Sequence, residues 1–157
     1  MDFKQKFIQR SGRITKQWGL GEPVGKIWGL LLFENRPLTQ REIAEQIDYS
    51  LSLVSPNLTL MENLGLVSIV GRNGREKQYG AVPSFIVTFE KVIKNFIDKE
   101  VQPLIGLLDS NISSIKEDDT KKRFENMLIE YRNAGEAVRM LSKLIGKSNG
   151  GIQNGKN

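Results

Sequence analysis

Cysteine and histidine are both absent from this sequence of 157 residues. Without cysteine there are no disulfides, thiol redox sites or cysteine-ligated metals, and without histidine there is no histidine-based catalytic triad, zinc hydrolase site or histidine pH switch. No apolar run approaches the roughly 18 residues that span a bilayer. The first residues, MDFKQKF, are too charged for a secretory signal peptide. We therefore expect a cytoplasmic protein with no membrane segment.

A catalytic arrangement is also lacking. Carboxylate pairs such as Asp118 with Asp119, or Glu42 with Glu45, lie in capping, turn or solvent-facing contexts. The glycines do not have the strand-to-helix context of a phosphate-binding loop. The sequence therefore predicts neither an enzyme nor a cofactor.

Positive charge is present but unevenly distributed. The net charge is +5 and the isoelectric point is near 9.5, which is compatible with nucleic-acid binding. In residues 1–26, six basic residues stand against two acidic ones: Lys4, Lys6, Arg10, Arg13, Lys16 and Lys26 against Asp2 and Glu22. The N-terminal region is therefore strongly positive. The ordinary hydrophobic content of 39% and the length indicate one soluble domain.

Residues 38–67 have the pattern of two short helices joined by a tight turn. Thr39 and Glu42 match a capping box, so the first helix is predicted to begin at Thr39. Ser50 or Ser52 can cap the second helix, predicted over residues 52–64, and Gly65 can end it. The predicted buried side of the second helix is Val54, Leu58, Met61 and Leu64. This order is typical of a helix-turn-helix, whose second helix is presented to the DNA major groove.

A hairpin is predicted directly after these helices. Strand-like runs at residues 66–70 and 77–82 flank the segment 71–75, and Asn73-Gly74 is a strong turn signal because both residues tolerate positive φ. Basic side chains lie at or beside the tip: Arg72, Arg75 and Lys77. A basic hairpin after a helix-turn-helix predicts a winged helix with its wing at 71–77, placed on the minor groove or the DNA backbone.

From Val24 to Val82 the chain resembles the MarR-type winged helix-turn-helix transcriptional regulators, and more narrowly their GbsR-like branch. The residues that carry the resemblance are VGKIWGLLLF, PLTQREIAEQI, SLSLVSPNL, ENLGLVSIV and GRNGREKQYGAV. The segment from Val24 to Val82 is a little over a third of the chain. The resemblance implies a mainly α fold with a small β-hairpin wing, in which dimerisation helices flank the DNA-binding domain. It also implies a dimer, most simply a repressor, on a pseudo-palindromic operator.

The residues expected to contact DNA come from three places. On the second helix, the face opposite the buried side carries Ser52, Ser55, Pro56, Asn57 and Thr59. At the start of the first helix, Thr39, Gln40 and Arg41 are placed to meet a phosphate. On the wing, the candidates are Arg72, Asn73, Arg75 and Lys77. The alternative for the second-helix face and for the wing is a solvated polar surface.

The second helix departs from common DNA readers because residues 52–64 contain no lysine or arginine. Across the two helices, Arg41 stands against four acidic residues, namely Glu42, Glu45, Asp48 and Glu62. Arginine to guanine is the commonest specific contact, and phosphate neutralisation dominates affinity. Positive charge would have to come from the wing and the N-terminal helix. The competing hypothesis is a winged-helix module that binds protein through its acidic helices and does not read DNA sequence.

Helical patterns flank the winged segment on both sides. Phe3, Phe7, Ile14 and Trp18 form an apolar stripe in a leading helix, and long apolar patterns follow residue 83, with Pro103 breaking or kinking the first of them. We expect an N-terminal helix of a dimer lobe at 1–21, the DNA-binding domain at 22–82, dimerisation helices at 83–146 and a flexible tail at 147–157. A monomeric helical cap is the alternative to the homodimer.

A small-molecule effector is the remaining expectation, and it follows from the resemblance. MarR-type regulators commonly hold a ligand between the winged lobe and the dimer helices. The GbsR-like branch implies a quaternary ammonium such as choline, which aromatic side chains could hold by cation–π attraction. Trp28, Phe85 and Phe89 are the candidate aromatics, with Trp18 as a further one. Aromatic residues at helical spacing are more often part of a core, which is the alternative.

Overall fold

Seven α-helices and three short strands make up residues 1–152, which are the residues that this computed structural model describes, apart from the side chains of Phe85 and residues 148–152. The chain divides into one unit at Met1–Thr88 and a second that begins at Phe89. The predicted class, mainly α with a small β-hairpin, is confirmed at this level, and a third strand extends the hairpin to a small antiparallel sheet. No helix in the described part of the chain is both long and apolar enough to cross a membrane.

The first unit contains the elements of a winged helix-turn-helix in order. They are α1 (Phe3–Gln17), α2 (Glu22–Phe33), β1 (Leu38–Thr39), α3 (Gln40–Ile47), α4 (Leu51–Asn63), β2 (Val67–Asn73) and β3 (Glu76–Ala81). The three antiparallel strands lie in the order β1-β3-β2. The two-residue strand β1 was not predicted, because two residues carry no alternation pattern.

The predicted helix signals act as expected. The Thr39 hydroxyl accepts a hydrogen bond from the Glu42 amide at 3.2 Å, and the Glu42 carboxylate accepts one from the Thr39 amide at 2.8 Å. Ser50 caps α4, so this helix occupies 51–63 and begins one residue before the predicted range of 52–64. Gly65 follows α4 with a φ of 66°, as a residue that ends a helix in the left-handed conformation.

The core of the first unit joins α2, α3, α4 and the strands. Nine side chains are almost completely buried there: Val24, Ile27, Leu30, Leu38, Ile43, Val54, Leu58, Met61 and Leu66. Burying a side chain of this kind contributes about 1.5–3 kcal/mol. The core holds α3 and α4 in a fixed relation, so the outward face of α4 is rigidly presented.

Helix α1 packs against α2 through small residues. Its buried positions include Ser11, Gly12 and Thr15, and a Cβ on Gly25 of α2 would lie 2.1 Å from the Ser11 carbonyl oxygen. Only glycine permits this close approach. Of the apolar stripe predicted for α1, Phe3 contacts the Phe33 ring of α2, with centroids 5.9 Å apart, but is 72% exposed; Phe7, Ile14 and Trp18 are half-buried.

The wing turn differs from the predicted Asn-Gly turn. Asn73 pairs with Glu76 across the strands, so the two loop residues are Gly74 and Arg75, and only Gly74 of the hairpin has a positive φ (58°). Glycine at the first central position is the pattern of a type II′ turn, not the type I′ turn that Asn-Gly favours. This shift by one residue decides which side chains face one another across the wing.

The second unit is helical. It begins within α5 (Phe85–Phe96) and continues with a π-helical turn (Ile97–Val101), α6 (Gln102–Asn111), a 3-10 turn (Ile112–Ser114) and α7 (Asp118–Ile152). Pro103 is in the first turn of α6, directly after the π-helical turn. This is the predicted break, because proline is tolerated at the start of a helix. Helix α7 continues through 147–152, where the flexible tail was expected; residues 153–157 of that tail lie outside the described residues.

Candidate nucleic-acid interface

The outward face of α4 carries the side chains predicted for it. Ser52, Ser55, Pro56 and Thr59 are exposed and Asn57 is half-buried, while Val54, Leu58 and Met61 point into the core. Pro56 lies within the helix and cannot donate to the Ser52 carbonyl, but α4 remains continuous from Leu51 to Asn63. The face is therefore formed by small polar side chains on an unbroken helix.

Some of the polar groups on this face are already engaged by the helix itself. Asn57 Nδ2 donates to the Leu53 carbonyl at 2.7 Å, and the Thr59 hydroxyl donates to the Ser55 carbonyl at 3.2 Å. The amide oxygen and remaining N–H of Asn57, and the oxygen of Thr59, can still accept or donate outward. The chemistry available on α4 is thus mainly that of hydrogen-bond acceptors, hydroxyls and methyl groups.

Three leucines on α4 were not predicted to lie at the surface. Leu51, Leu53 and Leu60 are each more than a third exposed, although leucine in a helix next to a core is normally assigned to that core. Their spacing relative to Val54, Leu58 and Met61 could have shown that α4 has more apolar residues than its buried side can take. These leucines add apolar surface to the outward region of the helix.

A groove joins the N-terminus of α3, the N-terminus of α4 and the wing. This cavity of about 180 Å³ is lined by Gln40, Arg41, Leu51, Glu76, Lys77 and Tyr79. Arg41 Nε lies 3.2 Å from a Glu76 carboxylate oxygen, which places an acidic side chain beside a cation predicted to meet phosphate. Glu76 was not predicted to belong to the site, because its position directly before Lys77 in the chain gave no such signal.

Thr39 lies at this end of α3 but is only 2% exposed, and its hydroxyl caps the helix. The Glu42 carboxylate pairs with Arg36 at 2.7 Å as well as with the Thr39 amide. The amide of Thr39 and then Arg36 lower the pKa of Glu42, because both favour its ionised form. Thr39 therefore orients the N-terminus of α3, and Gln40 and Arg41 remain the groups at its surface.

The wing brings two cations directly opposite each other. Arg72 on β2 pairs in register with Lys77 on β3, so their side chains lie on one face of the hairpin. Both are exposed, as are Asn73 and Arg75 at the tip. Among the described residues, Arg72, Arg75 and Lys77 form no ion pair. Like charges directly opposite on neighbouring strands destabilise a hairpin, so the Arg72–Lys77 pair does not stabilise the wing.

Helix α1 carries a second positive surface. Lys4 forms an ion pair with Glu34, and Lys26 forms one with Glu22. The charges of these two basic residues of the N-terminal region are therefore compensated. The remaining four, Lys6, Arg10, Arg13 and Lys16, are exposed and recur at intervals of three or four residues. They therefore form one stripe, on the side of α1 away from α2.

Of the aromatic residues proposed for an effector, Trp28 has a defined hydrogen-bond partner. The Trp28 indole N–H donates to the Val82 carbonyl at 3.3 Å, which ties the end of the wing to α2. The side chain of Phe85 lies outside the described residues, and Phe89 belongs to the second unit. The aromatic effector site stays a prediction.

Comparison with known proteins extends the fold assignment. No protein-family model matches the chain, and no curated protein matches it. A crystal structure of a transcriptional regulator superposes on 94% of this chain and 99% of its own, with a TM-score of 0.72 and 16% sequence identity. At this identity the likeness establishes a common fold.

Proposed function

We propose that this protein is a dimeric DNA-binding transcriptional regulator of the MarR type, in its GbsR-like branch. Helix α4 lies in the major groove, and the wing lies on the minor groove or the backbone. The protein most simply acts as a repressor that occupies a pseudo-palindromic operator. The regulator that shares its fold supports the regulatory role, and the cationic wing supports DNA as the partner.

The observation that carries the proposal is the pairing of Arg72 with Lys77 on one face of the wing. Two exposed like charges in register weaken the hairpin in the free protein. A polyanion that lies between or beside them reverses the sign of this effect, since each cation then neutralises a phosphate and releases counterions. Arg75 at the tip extends the same surface.

The division of labour between α4 and the wing follows from their side chains. Ser52, Ser55 and Asn57 can hydrogen-bond base edges, and Pro56 and the Thr59 methyl group can contact thymine methyls. Arg72 and Lys77 supply phosphate contacts, which position the protein without reading sequence. Arg41 is paired with Glu76 and can add a phosphate contact only when that pair opens. Specificity in this proposal depends on α4 and affinity on the wing.

Dimerisation is proposed through the flanking helices. Large apolar side chains of the second unit are 55–65% exposed, namely Phe96, Leu107, Ile129, Met140 and Leu144. Exposed apolar area of this kind is unfavourable in a monomer and is commonly covered by a second copy. Two copies would set two α4 helices about one DNA turn apart on a two-fold symmetric site. Sedimentation equilibrium tests this, and a monomer at micromolar concentration would contradict it.

The decisive experiment combines fluorescence anisotropy with wing variants. Labelled duplex from the upstream region of the protein's own gene is compared with a scrambled duplex at two salt concentrations. Changing both Arg72 and Arg75 to alanine should weaken binding, and the slope of log K against log salt should become shallower by ~0.9 for each phosphate that the variant no longer neutralises. The matched control changes Lys122 and Arg123 of α7 to alanine, with the same loss of charge.

The alternative is a winged-helix module that binds another protein and does not read DNA sequence. The exposed Leu51, Leu53 and Leu60 and the absence of basic residues in α4 favour it. The alternative predicts either no DNA binding or salt-sensitive binding that is equally tight for the native and the scrambled duplex. It also predicts that the wing variant and the α7 control change DNA binding by the same amount. Preference for the native duplex at the higher salt concentration would exclude it.

A choline-like effector held by Trp28, Phe85 and Phe89 is proposed as the signal that relieves repression. Trp28 is half-buried, so a cation that binds at its ring should change its fluorescence. Choline should quench tryptophan emission saturably, and a Trp18→Phe variant should retain the response. Tryptophan emission that stays unchanged up to millimolar choline would contradict the proposal.

A further inference from the structure

A cavity in the second unit is lined by none of the residues assigned above to DNA, to the effector or to the dimer surface. It has a volume of about 290 Å³ and lies between the end of α5, the π-helical turn and α7. This is at the small end of the range for ligand pockets. Helix α7 contributes residues 135, 138, 139, 142 and 143, whose spacing is that of one helical face.

A glycine and a π-helical turn meet at the lining of the cavity. Gly135 is buried, and a Cβ at this position would lie 3.3 Å from Gln102 Nε2 and 3.8 Å from Ile97 Cγ2. The π-helical turn that contains Ile97 departs from regular α geometry at the same place. Turns of this type are frequent at functional sites. The apolar part of the lining is completed by Val138.

The rim of the cavity is predominantly positive. Lys94, Arg139 and Lys143 line it, and none of the three forms an ion pair within the described part of the chain. Asp98 is the acidic residue in the lining. Glu90 is not in the lining, but its carboxylate accepts a hydrogen bond from the hydroxyl of the lining residue Ser142 at 2.5 Å. Three cations against these two carboxylates leave a net positive site.

We propose that this cavity binds a small organic anion, with the anionic group at Arg139, Lys94 and Lys143 and the apolar body over Ile97 and Val138. The guanidinium of Arg139 can form two parallel hydrogen bonds to a carboxylate or a phosphate, and a lysine contributes as a point charge. The site is lined by none of the aromatic residues considered for choline, and its charge favours anions instead of cations. It exists in the protein without DNA, so it can be tested independently of the regulatory proposal.

The test uses four probes with the same six-carbon chain and different head groups: hexanoate, hexyl phosphate, hexan-1-ol and hexyltrimethylammonium. Binding is followed at constant ionic strength by chemical-shift changes of the Gly135 and Ser142 amides in the full-length protein without DNA. Hexanoate or hexyl phosphate should bind at least ~10-fold more tightly than the alcohol, since a charge-assisted hydrogen bond contributes that much or more. The preference between the two anions identifies the head group.

The variant that tests the rim changes Arg139 and Lys143 to glutamine. Both residues are exposed, so the fold should be retained, and anion binding should fall by ~10-fold or more. The matched control changes Arg123 and Lys122 to glutamine, which removes the same charges from α7 more than ~20 Å away along the helix axis. Equal binding of the alcohol, tighter binding of the ammonium probe, or equal losses in both double variants would overturn the proposal.

Discussion

Glu76 is predicted to oppose DNA binding, because its carboxylate lies in the groove between α3, α4 and the wing. The change to test is Glu76→Gln, which keeps the shape of the side chain and removes its charge. The ion pair with Arg41 joins two side chains that are 66% and 43% exposed, at 3.2 Å. A pair this exposed contributes at most about 1 kcal/mol to folding, so the variant should remain folded.

The effect on DNA binding can be worked out from charge alone. A carboxylate about 7 Å from a phosphate in a water-like dielectric costs about 0.6 kcal/mol, or about 1.2 kcal/mol for the two half-sites of a dimer. Removing it should tighten binding by roughly 7-fold, since 1.4 kcal/mol corresponds to 10-fold. Arg41 would also be released to a phosphate in each half-site, which should steepen the salt slope by ~2 per dimer.

Fluorescence anisotropy at several salt concentrations measures both quantities. The control is Glu125→Gln on α7, which changes the net charge equally but lies in the second unit. If Glu76→Gln binds DNA no more tightly than this control, or if its salt slope is unchanged, the groove does not face DNA and the reasoning is refuted.

Three further predictions concern stability and are measured by urea unfolding. Gly25→Ala should destabilise the first unit by ~2 kcal/mol or more, because the new Cβ would overlap the Ser11 carbonyl. The control Gly106→Ala has open space around it and should be neutral or stabilising. Equal changes in the free energy of unfolding for the two variants would contradict this prediction. The pKa of Glu42 is lowered in the folded protein, so the stabilisation by its ionised carboxylate is present above the usual glutamate pKa and is lost as pH falls through the lowered value. The Glu42→Gln variant should therefore lose less stability than the unaltered protein below about pH 4.3. An unchanged dependence of the free energy of unfolding on acidic pH would count against the capping box. The Thr88 hydroxyl is buried without a hydrogen-bond partner among the described residues, so Thr88→Val should stabilise by about 1 kcal/mol, and a loss of stability would mean that the hydroxyl is satisfied.

Local signals in the sequence predicted much of the first unit. The Thr39–Glu42 capping box and Gly65 act within one turn of a helix, and the structure contains both. The helical pattern of buried and exposed residues on α4 could also be predicted from the sequence, because one face of the helix must contact the core. The assignment of those exposed residues to DNA stays a prediction.

Other features depend on partners that are distant in the chain. Glu76 became part of the candidate interface only when the hairpin placed it beside Arg41, 35 residues earlier. The close contact of α1 with α2 at Ser11 and Gly25 was not predicted, because the small residues that permit close backbone approach form no apolar pattern.

The sequence by itself determined the kinds of elements and their order, because capping, helical periodicity and turn residues act over a few neighbouring positions. Tertiary structure alone decided which charges meet. The register of the wing placed Arg72 opposite Lys77, and the packing of α7 on the π-helical turn gathered three cations around one cavity. Such arrangements depend on distances between residues far apart in the chain, and no local pattern encodes those distances.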